Sequence, residues 1–193
     1  KQGSAGAILI ATPMAIPYLS MVDHSMIISI DSLFSIPDYR MNERIFALIL
    51  SLREKSKTSL TIQTRTDDVT IIEYALQGRL AEFIELELSL RKTFSYPPYG
   101  TIIKITVRGD KDVVPAEIEH LKDLFPEYTP LIPRTMSRDT GISAKKTWGK
   151  HEMYRMHAII KLPHDVWPNT SIFAKLRALP PHFTVEINPE HLL

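Results

Sequence analysis

The chain has no cysteine among its 193 residues, which excludes a disulfide framework, thiolate zinc sites and a cysteine nucleophile. It has almost no net charge, +1 with histidine neutral, so no overall field calls for a nucleic-acid partner. Long hydrophobic runs are missing too: a stretch such as Ala7 to Ala11 falls far short of the roughly 20 residues a membrane span needs. There is no G-x-x-x-x-G-K-[ST] phosphate loop and no G-x-S-x-G elbow. Lys1-Gln2-Gly3-Ser4 shows no secretory pattern, so a cytoplasmic setting is the expectation; a start without methionine is expected of a piece of a longer chain. What is present is 44% hydrophobic and 23% charged, the composition of a globular protein with material for one good core or two small ones.

Ala7-Ile8-Leu9-Ile10-Ala11 and Met26-Ile27-Ile28-Ser29-Ile30 are continuous apolar runs of the kind that form strands buried on both faces. After Pro37, Ile45, Leu48, Ile49 and Leu52 form one apolar stripe and predict a helix from about Asp38. Leu60 to Thr64 reads as a third strand. A further helix is expected from about Val69 to Arg91, with a break at Gly78. Glu87 and Arg91 lie four apart on it, as a helix-surface ion pair would.

Ser95-Tyr96-Pro97-Pro98-Tyr99-Gly100 is the clearest punctuation, and it divides the chain into 1–93 and 94–193. Beyond it the pattern alternates. Ile103, Ile105 and Val107 face one way and Lys104, Thr106 and Arg108 the other; Tyr154 to Leu162 and Phe183 to Ile187 repeat the pattern. With two short helices, around Ile118 and Ile172, and a strand near Tyr128 to Pro133, the order is βαββαβ, a ferredoxin-like layer.

Between Arg134 and Arg155, the cations Arg134, Arg138, Lys145, Lys146, Lys150 and Arg155 outnumber Asp139 and Glu152, and Trp148 is interleaved with them. Such a hairpin can track phosphates while an aromatic ring stacks on a base. The plainer alternative is a solvated hairpin whose Trp148 fills a core gap. The seven histidines show no metal-ligand spacing; in His151-Glu152-Met153-Tyr154-Arg155 an arginine stands where a zinc-protease helix has its second histidine. No catalytic residue and no metal ligand is expected.

Several segments resemble one family in register. Asp31 followed by Pro37-Asp38-Tyr39-Arg40-Met41-Asn42-Glu43-Arg44 resembles a P-D-[FY]-R-x-x-E-R segment with its leading aspartate. Gln63-Thr64 matches a strand-ending Q-T, and Phe83, Glu87 and Arg91 followed by Tyr96-Pro97-Pro98-Tyr99 resemble F-x-x-x-E-x-x-x-R and Y-P-P-[FY]. Ile8 to Met14 is similar to I-L-I-G-T-Q-M, and Val185 to Pro189 to a D-V-D-P ending. These belong to the PriA (primosomal protein N′) family of replication-restart DNA helicases. The resemblance implies an α/β chain: part of the second helicase lobe, with a RecA-like parallel sheet, over 1–93, and a ferredoxin-like C-terminal α+β domain over 94–193. It implies ATP, Mg and Zn as the family's cofactors, none of them expected to be held by this chain. It implies branched or single-stranded DNA as partner, with single-strand-binding protein and other primosome components, and no membrane. The family docks the acidic tail of single-strand-binding protein beside the strand that carries Met153, Arg155 and His157 here.

The departures concern the motor. Where the family reads Q-V-A-G-R-A-G-R, this chain has Ser51-Leu52-Arg53-Glu54-Lys55-Ser56-Lys57-Thr58. An arginine reaching a transferring phosphoryl group is worth about 10³ to 10⁵ in rate, and lysine lacks its planar fork. Thr12, Arg44, Arg53, Lys55 and Lys57 are therefore read as remnants of a degenerate helicase motif. The expectation is a DNA-binding and scaffolding part of a replication-restart protein without its own ATPase. The alternatives are the tail of an active 3′ to 5′ helicase whose first lobe lies elsewhere, and a protein-interaction module without DNA affinity.

Overall fold

The computed structural model describes residues 6–133, 136–138 and 152–192. It divides into two compact units, Lys1–Glu87 and Leu88–Leu193.

In the first unit a 3-10 turn, Pro13–Tyr18, precedes strand β1, Val22–Ile27. Helix α1, Asp31–Phe34, and the longer α2, Met41–Lys55, lead to β2, Ser56–Ile62. Helix α3, Thr70–Gln77, follows, and then α4, Leu80–Thr93, whose residues after Glu87 are counted in the second unit. The two strands pair in parallel, Met26 beside Thr61 and Ile27 beside Ile62, as a strand–helix–strand crossover requires. On α2, Met41, Ile45, Phe46 and Ile49 turn inward onto Ile30, Ile72, Ala75 and Phe83. The rings of Phe46 and Phe83 stack at 4.1 Å between centroids. The expected break at Gly78 is present: its φ of 72° is left-handed, which glycine adopts without a Cβ penalty, and it ends α3.

Three expectations fail here. Ala7–Ala11 is not a strand; Ile8 and Ile10 are 91% and 93% exposed. A run apolar on both faces holds as a strand only between paired neighbours, and among the described residues β1 and β2 pair only with each other. Both later strands begin upstream of their apolar runs, because parallel pairing recruits polar residues such as His24 and Ser59. Glu87 is not a surface group. It is 5% exposed, and its carboxylate accepts a 3.2 Å hydrogen bond from Asn42 Nδ2.

In the second unit the order is β3, Gly100–Gly109; α5, Val114–Leu124; a 3-10 turn, Pro126–Tyr128; β4, Ser137–Arg138; β5, Tyr154–Pro163; α6, Thr170–Arg177; and β6, Phe183–Ile187. The strands form one antiparallel sheet in the order β4-β5-β3-β6. Ile103, Ile105 and Val107 of β3 and Met156, Ala158, Ile160 and Leu162 of β5 meet Val114, Ile118 and Leu121 of α5 and Ile172 and Leu176 of α6. Each fully buried Ile or Leu is worth about 1.5–3 kcal/mol relative to exposure, so this one-sided core holds the sheet to its helices. Asn169 starts α6, its Oδ1 accepting from the backbone N–H groups of Ser171 and Ile172.

The strand expected at Tyr128–Pro133 is reduced to a single bridge, Leu131 to Ile159, with both hydrogen bonds at 2.8 Å. Pro130 and Pro133 flank it, and without N–H groups they cannot extend the ladder. The short β4 takes the sheet edge instead.

Candidate nucleic-acid interface

The alternation that buries one face of the second sheet puts Lys104, Thr106 and Arg108 on the other, together with the apolar Ile102 and Ile159, and the register brings its side chains into rows. Glu186, Lys104 and Ile159 form one row, Thr184, Thr106 and His157 the next, then Arg108, Arg155 and Ser137. A depression of about 380 Å³ opens on this face, lined by Lys104, Thr106, Arg108, Arg155, Thr184 and Glu186, with Glu190 and His191 from the segment after β6. Arg155 Nε donates to Ser137 Oγ at 3.1 Å, and Lys104 Nζ donates to the His191 carbonyl at 2.9 Å.

His157 lies among these cations. Burial, followed by the charges of Lys104 and Arg155, holds its pKa below the ordinary histidine value, so the imidazole is neutral near pH 7. Its Nε2 is buried without a hydrogen-bond partner among the described residues. Three cations, Lys104, Arg108 and Arg155, thus meet two carboxylates, Glu186 and Glu190, and the hydroxyls of Thr106 and Thr184 around the depression. Chemically, the arrangement suits a ligand with several anionic oxygens.

Of the predicted hairpin residues, Arg134, Lys145, Lys146, Trp148 and Lys150 lie outside the described residues. Arg138 and Arg155 are described but not brought together. Arg155 shares a face with its partner Ser137, whereas Arg138 pairs with Tyr154 on the other face and bonds Glu152 at 3.1 Å. Lys104, Thr106 and Arg108 were missed as site residues because they lie on a separate strand. Their common spacing on the polar side of β3 was the available signal.

Of the residues read as a degenerate motor motif, Arg44, Arg53 and Lys57 have partners within the first unit. Thr12 precedes the 3-10 turn and is exposed. Arg44 pairs at 3.1 Å with Asp38, whose side chain is buried and also accepts from the Arg40 N–H. Arg53 Nη1 donates to the carbonyls of Ala75 and Leu76 at 3.1 and 2.8 Å, capping the last turn of α3. Lys55 closes α2, and Lys57 Nζ lies 3.5 Å from Asp23. Thr64 Oγ1 donates to Asp31 at 2.6 Å, which with the Arg65 N–H holds that carboxyl below its usual range. Arg53 is thus a structural cap. Replacing it with alanine is expected to destabilise the first unit by about 1 kcal/mol, with Arg53→Lys recovering less than half; a urea midpoint unmoved by Arg53→Ala would remove this role.

No helix among the described residues is long and apolar enough to cross a membrane. No family model matches the chain. Several curated proteins do. Replication restart protein PriA of Borreliella burgdorferi is 32% identical over 116 residues, covering 49% of this chain and 18% of that protein. The Thermotoga maritima PriA is 32% identical over 108 residues, covering 54% of this chain and 14% of its own length. The Bacillus subtilis PriA is 25% identical over 196 residues, covering 97% of this chain and 23% of that protein. The chain thus spans under a quarter of the length of these relatives. Over nearly all of its own length the chain is similar to replication restart protein PriA.

Proposed function

We propose that this segment binds DNA and serves as a scaffold in replication restart, without ATPase or unwinding activity of its own. The observation that carries the reading is the depression on the sheet face, where Lys104, Arg108 and Arg155 outnumber Glu186 and Glu190 by one and stand beside Thr106 and Thr184. Phosphates fit between the two guanidinium groups, with Lys104 as a point charge and the hydroxyls as donors. Sequence is not read by such a face; backbone position is. Branched or single-stranded DNA is the ligand class, and single-strand-binding protein and other primosome components are the protein partners the reading implies.

The same proposal takes residues 1–93 as part of a RecA-like second helicase lobe. It takes 94–193 as a ferredoxin-like domain, supported by the β4-β5-β3-β6 order with both helices in one core. A cytoplasmic setting goes with it. ATP chemistry does not fit the residues present: Arg53 is committed to α3 and Lys57 lies beside Asp23, so no phosphoryl-transfer step is drawn through them.

The test is binding of a forked DNA by fluorescence anisotropy from about 50 to 200 mM salt, with phosphate release measured in parallel. Contacts to about three phosphates give a log–log salt slope of about −2 to −3. Salt-independent binding, or DNA-stimulated hydrolysis of ATP, would overturn the proposal.

A further inference from the structure

The segment after β6 folds back over the face just described. Asn188 takes a left-handed φ of 50° and is fixed to β3 twice: its N–H donates to the Ile102 carbonyl at 2.7 Å, and its Oδ1 accepts from the Ile102 N–H at 3.0 Å. Asparagine tolerates this conformation better than other side chains except glycine, so the reversal is written into the residue type. Pro189 and Leu192 are then buried, while Glu190 and His191 between them stay exposed and line the basic depression. Two buried anchors thus flank a carboxylate and a backbone carbonyl, and the carbonyl accepts from Lys104 Nζ.

We infer that Pro189–Leu192 is a displaceable strap along one side of the depression, with Glu190 occupying the position of a ligand phosphate. The inference rests on the reading of that face as a nucleic-acid interface. Glu190 offers Arg108 and Arg155 an anion held at high effective concentration by the Asn188 turn. A polyanion entering the depression meets this carboxylate as a like charge and Lys104 as an already engaged donor. Binding therefore requires the strap to lift, and DNA affinity is set by the difference between the two anions. The anchors are small: one proline and one leucine hold the segment down, so displacement is accessible without unfolding the sheet.

The experiment compares the full chain with Glu190→Gln, with Glu119→Gln on the exposed side of α5 as a control for loss of one negative charge, and with Arg155→Glu. Forked DNA binding is read by anisotropy, and hydrogen exchange of residues 190–192 is followed with and without DNA. Glu190→Gln is expected to tighten binding about five- to tenfold, against about twofold or less for Glu119→Gln, since one remote charge contributes only weakly. Amides 190–192 are expected to exchange faster once DNA is bound. Equal gains for the two glutamine variants overturn the strap, as does exchange unchanged by DNA. If Arg155→Glu abolishes binding in that case, the interface reading stands without it. Binding by none of the proteins at low salt overturns the interface reading and the strap together.

Discussion

Phe83→Ala is expected to destabilise the first unit by about 3–5 kcal/mol, the range for removing a buried aromatic ring from a packed core. Phe83 is 5% exposed and Phe46 3%, and their rings stack at 4.1 Å. The ring stacks α4 on Phe46 of α2, so alanine leaves a cavity that the rest of the cluster, with Ile45, Ile49 and Ala75, cannot close without moving its helices. An offset aromatic pair adds about 0.5–1.5 kcal/mol beyond its buried area, and that is lost as well. A unit of this size has little stability in reserve, so the variant should sit near its unfolding midpoint in water. Hydrogen exchange of residues 41–87 isolates this unit from the second. Protection within about 1 kcal/mol of the unmodified chain would show that the stack does not hold the core together.

Arg155→Glu should have two effects of opposite sign. Arg108 and Arg155 face each other directly across β3 and β5, and like charges in that position destabilise a sheet. Reversing one of them creates a cross-strand ion pair, so the second unit should gain about 0.2–1 kcal/mol in a urea melt. Over the same change, binding of forked DNA should weaken by about ten- to a hundredfold, and the salt slope should flatten by about one. Stability and binding moving apart is what a site maintained against the interest of the fold predicts. Loss of both together would make Arg155 a structural residue, held by its bond to Ser137 Oγ.

The elements were legible where one strand or helix carries its own pattern. The alternation from Thr101 to Arg108 became β3 over Gly100–Gly109, and the stripe of Ile45 and Ile49 became the buried side of α2. Glycine at position 78 marked the helix break because the left-handed conformation there is a local demand. The apolar run Ala7–Ala11 misled for the complementary reason. A run apolar on both faces reports a need for neighbours on both sides, and a single segment cannot report whether they are there.

The candidate site divides along the same line. Arg155 was singled out from its neighbours in sequence, and the polar side of β3 was visible as a period of two. That Lys104, Arg108 and Arg155 share one depression is a matter of strand register, set by pairing between segments more than 40 residues apart. Arg138 was grouped with Arg155 by proximity in the chain, yet the pleat sends the two to opposite faces. Arg53 kept its charge and acquired a partner, the carbonyls of α3, that no local spacing reveals.

The sequence by itself determined the mixed α/β character, the similarity to PriA and the polar side of the strands beyond Gly100, since these depend on residue type and short-range period. Tertiary structure alone decided which runs became strands, which cations meet, that Glu87 is buried, and that Glu190 lines the same depression as Arg108 and Arg155. Those depend on hydrogen-bonded register and packing between distant segments, where a shift of one residue turns every side chain to the other face.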